Sequence, residues 1–151
     1  MSCGQFKKDE MNTFIFQSMP ERFDLREKLI VNEKDTWYAT RYRNKMQPGD
    51  LVFFWMGGDK RFRGIYGWGN ITSKPYIKNN WDTYGVDVEY QVKFEKPITS
   101  SKIISEPSLS ELLIFRAPQA TNFIVNDFEL KKLLKLINKA GEESPKIQYY
   151  G

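Results

Sequence analysis

The sequence predicts an α+β fold, a small mixed barrel of short strands with helices around it. Three stretches carry that expectation. Residues 86–94 alternate Val86, Val88, Tyr90, Val92 and Phe94 with Asp87, Glu89, Gln91 and Lys93, the period of a half-buried antiparallel strand. Residues 51–69, LVFFWMGGDKRFRGIYGWG, hold two apolar-aromatic runs joined by a basic Gly-Gly loop, too long for a two-residue hairpin turn. Residues 127–139 set Phe128, Leu130, Leu133, Leu134 and Ile137 on one helical stripe. Strands with helices inserted, and one helix at the end, fit a barrel closed by helices.

Taken in order, Thr13–Gln17 reads as a short apolar strand. Asp24–Ile30 reads as a short helix with Leu25 and Leu29 on one side. Residues 35–46 read as a further helical turn or two, with Asp35 or Thr36 as N-cap and Pro48-Gly49 as the stop. That spacing pairs Trp37 with Arg41 and Tyr38 with Tyr42. Leu51–Trp55 and Gly64–Ile71 are strands. Residues 74–84 form a polar loop bearing Tyr76, Trp81 and Tyr84, and Pro97 ends the alternating strand that follows. Leu109–Phe115 reads as a short helix running into a strand, residues 116–122 as a loop, and Phe123–Val125 as a strand. Asn126 and Glu129 have capping-box spacing for the helix Asp127–Lys139, and Gly141 is placed to end it.

At 151 residues the chain is expected to be one domain, with residues 1–11 a flexible extension, 12–140 the domain, and 141–151 a polar tail or the start of a linker. Composition is 40% apolar and 28% charged, that of an ordinary globular domain. No apolar run approaches the ~20 residues of a membrane span, and the polar start is unlike a secretory leader. A cytoplasmic location without a membrane partner is the expectation. The single Cys3 excludes an intramolecular disulfide and any cysteine-cluster metal site. The absence of histidine removes the commonest general base, the commonest metal ligand and every Ser-His or Cys-His pair. No carboxylate spacing near the aromatic stretch suggests acid–base work, and Asp50 after Pro48-Gly49 shapes a turn. We therefore expect no enzyme, cofactor or metal. A net charge of +4 favours an anionic partner only weakly.

The glycines at 64, 67 and 69, set around Tyr66 and Trp68, carry the strongest functional signal. Glycine inside a strand marks a bulge, a bend or a close approach of another group. Aromatics beside such an opening can wall a pocket for a flat ligand such as a nucleobase. The same pattern also serves a small barrel with glycine corners and an aromatic core.

The runs TWYATRYRNKMQPGDLVFFWMGG, RGIYGWGNITSKPY, VDVEY and FRAPQATNF, followed by a closing helix, resemble the EVE domain. That family belongs to the PUA-like superfamily with ASCH and YTH domains. The likeness spans residues 12–138 with its parts in the expected order. It implies a PUA-like β-pseudobarrel with peripheral helices and a non-enzymatic reader of modified bases. EVE domains are associated with modified cytosine in DNA and with McrBC-type restriction systems, and YTH relatives with N6-methyladenine in RNA. The implied mechanism flips the modified base into an aromatic pocket. Stacking of about 1–3 kcal/mol per base then works against an extrusion cost of a few kcal/mol. A buried methyl adds about 0.8 kcal/mol, a preference of about fourfold, so sharper discrimination needs a polar contact to the base edge. An RNA-binding PUA-like module and an interaction domain with a vacant pocket are the competing readings.

The resemblance sets Trp37 where YTH relatives have a pocket tryptophan; the alternative is a residue pinning a helix to the barrel. Tyr38 and Arg41 lie beside it, Arg41 either bonding a base edge or phosphate or stacking on Trp37. Trp55 either faces the pocket mouth or fills the core, and Trp68 fills the core. Tyr76 and Trp81 come from the region that supplies the second wall in YTH relatives. Gln119 and Thr121 match the P-Q-x-T pattern and either read a base edge or bond their own loop. Lys60, Arg61 and Arg63 at the hairpin tip, with Arg116, suit phosphates or form a solvated surface. Lys131, Lys132 and Lys135 belong to a solvated helix face.

Overall fold

The computed structural model describes residues 5–7 and 11–148. In chain order it contains β1 (Gln5–Lys7), β2 (Thr13–Ser18), α1 (Leu25–Lys28), β3 (Lys34–Tyr38), a 3-10 turn at Arg43–Lys45, β4 (Leu51–Met56), β5 (Gly64–Ile71), β6 (Tyr76–Lys78) and β7 (Thr83–Thr99). There follow α2 (Ser100–Ile104), a 3-10 turn at Pro107–Leu109, α3 (Leu113–Arg116), β8 (Asn122–Val125), α4 (Asp127–Lys139) and β9 (Lys146–Gln148). Seven strands make one sheet in the order β3-β7-β5-β4-β2-β8, with β6 also paired to β7. Within this sheet pairing is antiparallel except between β2 and β4. The sheet curls into an open half-barrel with helices at its periphery, the PUA-like pseudobarrel.

Alternation along the strands feeds two separate cores. On β4, Leu51, Phe53 and Trp55 join a core closed by α2, α3 and α4, through Ile103, Ile114, Leu130, Leu133 and Ile137. Val52, Phe54 and Met56 join the opposite core with Phe14, Phe16, Trp37, Tyr66 and Tyr90, which Leu25 and Leu29 of and beside α1 also enter. The glycines of β5 let β7 cross closely: a Cβ at Gly67 would collide with the carbonyl oxygen of Val92, and one at Gly69 with that of Glu89.

Several expectations are corrected. Residues 34–38 are an edge strand antiparallel to Gly85–Glu89, not a helix, because Trp37 and Ala39 are buried while Tyr38 and Thr40 are exposed, the period of a strand. Trp37 and Arg41 therefore do not stack at helical spacing. The 74–84 loop contains β6, whose register is Tyr76↔Gly85. Pro97 does not end β7, which runs 17 residues. The register between β5 and β7 jumps between Ile65 and Gly67, from Ile98 to Lys93, so Pro97 lies in a bulge that asks no ladder bond of it. Glu142 caps that bulge, its carboxylate accepting from the Glu95 and Lys96 backbone N–H groups at 3.0 and 3.1 Å.

The 109–115 segment forms two short turns and leads into a loop rather than a strand. α4 has the expected bounds and a complete capping box at Asn126 and Glu129, but Phe128 is exposed, with the Lys132 ammonium 5.5 Å from its ring centroid. Residues 146–148 of the polar tail pair in parallel with residues 5–7. Most of the expected N-terminal extension, with Cys3, lies outside the described residues.

Candidate nucleic-acid interface

β3 carries Trp37 inward and Tyr38 outward. The Trp37 indole packs among Phe54, Phe23 and Phe16, with ring centroids at 5.3, 5.5 and 6.2 Å. Its Nε1–H donates to the Tyr90 hydroxyl at 3.0 Å, which donates to Asp35 Oδ2 at 3.0 Å. Burial pushes the Tyr90 phenol well above its ordinary range, so the hydroxyl stays protonated and keeps both bonds. Trp37 is thus fixed in position and rotamer, with 8% of its surface still exposed.

Beside it opens a cleft of about 290 Å³ lined by Gln17, Ser18, Met19, Arg22, Phe23, Thr36, Trp37, Tyr38, Trp81 and Thr121. That volume stands near the lower end of the ~300–1,000 Å³ range of small-ligand sites. Tyr38 and Trp81 meet with ring centroids 4.6 Å apart and planes tilted by 46°, and the Lys78 ammonium lies 5.5 Å from the Trp81 ring centroid. The lining contains no carboxylate.

Two amides brace the surroundings. Gln17 Nε2 donates to the carbonyls of Pro118 and Ala120 at 2.8 and 2.7 Å, holding the 117–121 loop on β2. The buried Asn122 donates from Nδ2 to the Tyr38 carbonyl at 2.8 Å, and its Oδ1 accepts from the Thr40 N–H at 2.9 Å. Side-chain bonds thereby tie β8 to the segment that follows Trp37.

The structure brings together four of the eight expected pocket residues: Trp37, Tyr38, Trp81 and Thr121. Tyr76 lies outside the lining and bonds Asp87 Oδ1 at 2.7 Å, which also accepts from the lining residue Thr36 at 2.8 Å. Arg41 and Gln119 are exposed and outside the lining. Trp55 is corrected outright: it is fully buried in the helix-side core against Phe115, because it shares its sheet face with Phe53 while Trp37 packs with Phe54 on the other. Trp68 is likewise buried there, its indole N–H on the Glu143 carbonyl at 2.9 Å.

Among the expected phosphate contacts, Lys60 is exposed and Arg63 half-buried. Arg61 grips Asp59 with two bonds, Nε to Oδ1 at 3.1 Å and Nη2 to Oδ2 at 2.9 Å, which hold the Asp59 carboxyl down at about 2. Arg116 is exposed in the last turn of α3. Sequence reasoning missed Gln17, Ser18, Met19, Arg22, Phe23 and Thr36. The available signal was the segment QSMPERF, where a strand ends at a proline turn carrying an arginine and an aromatic.

Among the described residues, no group of three or more His, Cys, Asp or Glu could hold a metal ion. No helix among them is long and apolar enough to cross a membrane.

The sequence matches the EVE domain over residues 12–136. The fold is similar to that of a protein from Leishmania major, with a TM-score of 0.71 and 18% identity over 89% of this chain and 99% of that one. It is similar to a Rhodopseudomonas palustris protein, with a TM-score of 0.68 and 17% identity over 83% of this chain and 92% of that one. It is also similar to human THYN1, whose structure was solved in complex with 5-methylcytosine-containing DNA: TM-score 0.65, 18% identity, 83% of this chain and 96% of that one. At these identities the likeness shows a shared fold. Comparison with curated proteins finds no match.

Proposed function

The chain belongs to the EVE domain family, and from that premise we propose that it is a non-enzymatic reader of modified DNA that takes a flipped base into the cleft over Trp37. The base classes are methylated or hydroxymethylated cytosine and N6-methyladenine. The observation that carries this reading is the Trp37 indole, locked by Tyr90 and Asp35 beside an open cleft that the tilted Tyr38–Trp81 pair also lines. A fixed aromatic wall loses no rotamer freedom when a base stacks on it, so more of the ~1–3 kcal/mol of stacking is available against the cost of extrusion. A lining without carboxylates also leaves the approach of a nucleotide phosphate unopposed. The complex of THYN1 with 5-methylcytosine-containing DNA supports the same ligand class. Work beside a McrBC-type restriction subunit in the cytoplasm is the setting we propose.

The test is a binding panel at fixed salt: oligonucleotides with 5-methylcytosine, 5-hydroxymethylcytosine, N6-methyladenine or no modification, as DNA and as RNA. Tighter binding to one modified DNA is the expected result. Equal binding to all members overturns the reading, and preference for the RNA members replaces it with an RNA-binding module.

A further inference from the structure

Ser18 ends β2 on the same side of the sheet as Phe14 and Phe16, the side that holds Trp37, and it lines the cleft. It is 9% exposed, and its hydroxyl has no hydrogen-bond partner. A buried hydroxyl without a partner is costly to a folded protein, and in a native structure it calls for a reason.

The other polar side chains deep in the lining are already committed. The Trp37 indole N–H donates to Tyr90, the Thr36 hydroxyl to Asp87, and the Thr121 hydroxyl to Asn122 Oδ1 at 3.2 Å. Both protons of the Gln17 amide are spent on the 117–121 loop, which leaves its carbonyl oxygen as an acceptor. Arg22 and Tyr38 are exposed at the rim, where water serves their polar ends. Ser18 is therefore the uncommitted hydroxyl donor at the buried end of the cleft.

We propose that Ser18 is a specificity-determining residue whose hydroxyl donates to an unprotonated ring nitrogen on the edge of the base held over Trp37. The inference rests on the reading of the cleft as a base pocket and says which atom of the base is recognised. Cytosine offers N3 and adenine offers N1 or N3 as a pyridine-type acceptor. Stacking on Trp37 tolerates any base, so the hydroxyl supplies the edge contact that stacking and a methyl group lack.

Ser18→Ala and Ser18→Cys are compared with the unmodified protein on the modified DNA it binds best and on the same oligonucleotide with one ring nitrogen replaced by C–H. Those probes are 3-deazacytosine in the cytosine series, and 1-deazaadenine and 3-deazaadenine in the adenine series. Ser18→Ala is expected to bind the natural modified base about tenfold more weakly and to show no further loss on the deaza probe. Its Tm in the absence of DNA should equal or exceed that of the unmodified protein, because an unsatisfied hydroxyl has been removed. Ser18→Cys, with a weaker donor, should fall between. If the unmodified protein prefers a modified DNA and Ser18→Ala binds it equally well, or loses as much again on every deaza probe, the assignment of Ser18 is overturned while the base pocket stands. If the unmodified protein prefers no modified DNA, the pocket reading itself falls and the assignment falls with it.

Discussion

The Tyr90 hydroxyl stands between the Trp37 indole and the Asp35 carboxylate, 3.0 Å from each, accepting from the first and donating to the second. Tyr90→Phe keeps the ring against Phe54 but strands the indole N–H. The expected cost is about 1–3 kcal/mol of stability. Preference for the modified base should weaken while the dependence on salt stays the same. Urea unfolding and binding titrations at several salt concentrations check both parts.

Trp37→Phe separates stacking from folding, since truncation to Ala would open a core void costing about 3–5 kcal/mol. The smaller ring is expected to lower discrimination between modified and unmodified DNA. The plot of log affinity against log salt should not change slope, because stacking displaces no counterions. Full discrimination retained by Trp37→Phe and Trp37→Ala alike would move the reading element elsewhere.

Basic residues should show the opposite pattern. Lys60→Ala, Arg63→Ala and Arg22→Ala are expected to weaken modified and unmodified DNA alike, each lost phosphate contact flattening the salt plot by about 0.7–0.9. Arg61→Ala should do less, since its guanidinium is already held by Asp59. Loss of discrimination in the hairpin-tip variants, with discrimination kept at Trp37, would make residues 57–63 the reading element.

Asp50 gives a pH prediction. It lies almost wholly buried, and although it accepts from the Asn12 and Gln47 N–H groups at 3.0 and 2.9 Å, burial outweighs those bonds and raises its carboxyl to about 6. The folded state therefore holds the Asp50 proton more tightly than the unfolded chain, where an Asp titrates near ~3.9. Its contribution to stability is fully present below about pH 4 and is lost as pH rises through about 6, a difference of about 3 kcal/mol. Asp24, Asp59 and Glu106 are shifted downward and act in the opposite sense, so the readout is unmodified protein minus Asp50→Asn. That difference should decline between pH 4 and pH 7, and a flat difference refutes the assignment.

Gly69→Ala drives a methyl into the Glu89 carbonyl across the ladder. It should cost about 1–3 kcal/mol or more, because backbone rather than a flexible side chain must move. Chemical denaturation measures it.

Much of this fold could be read from local pattern. The buried runs Leu51–Trp55 and Gly64–Ile71, the alternation at 86–94 and the capped helix at 127–139 are signals that neighbours in sequence carry alone. Failures came where a distant strand decides. WYATRYR offers pairs at helical spacing, yet residues 34–38 are held as a strand by β7, some fifty positions on. Pro97 ends strands in general, but Glu142 supplies the acceptors that let this one continue. Along β7, Val86, Val88 and Tyr90 enter one core while Phe94 and Ile98 enter the other, because the register slips between Trp68 and Gly69. No periodicity within residues 86–94 reveals that crossover. In the cleft, aromatic character marked Trp37, Tyr38 and Trp81, whereas Trp55 was misplaced because strand parity, which residue type does not encode, sends it to the opposite face. The segment QSMPERF marks a turn, but it does not encode the roles of Ser18 and Gln17, which depend on which neighbours leave them unsatisfied or fully bonded.

The division of the sheet into two cores also sorts the tryptophans. Of the four in the chain, Trp37 and Trp81 border the cleft, while Trp55 and Trp68 are sealed on the helix side. Excited at the indole band, the molecule therefore carries two emitters that a stacked base would quench and two that it would not reach. The unquenched pair is an internal reference, so the depth of quenching at saturation counts the indoles touched, and the protein's own emission follows occupancy of the cleft without any attached dye.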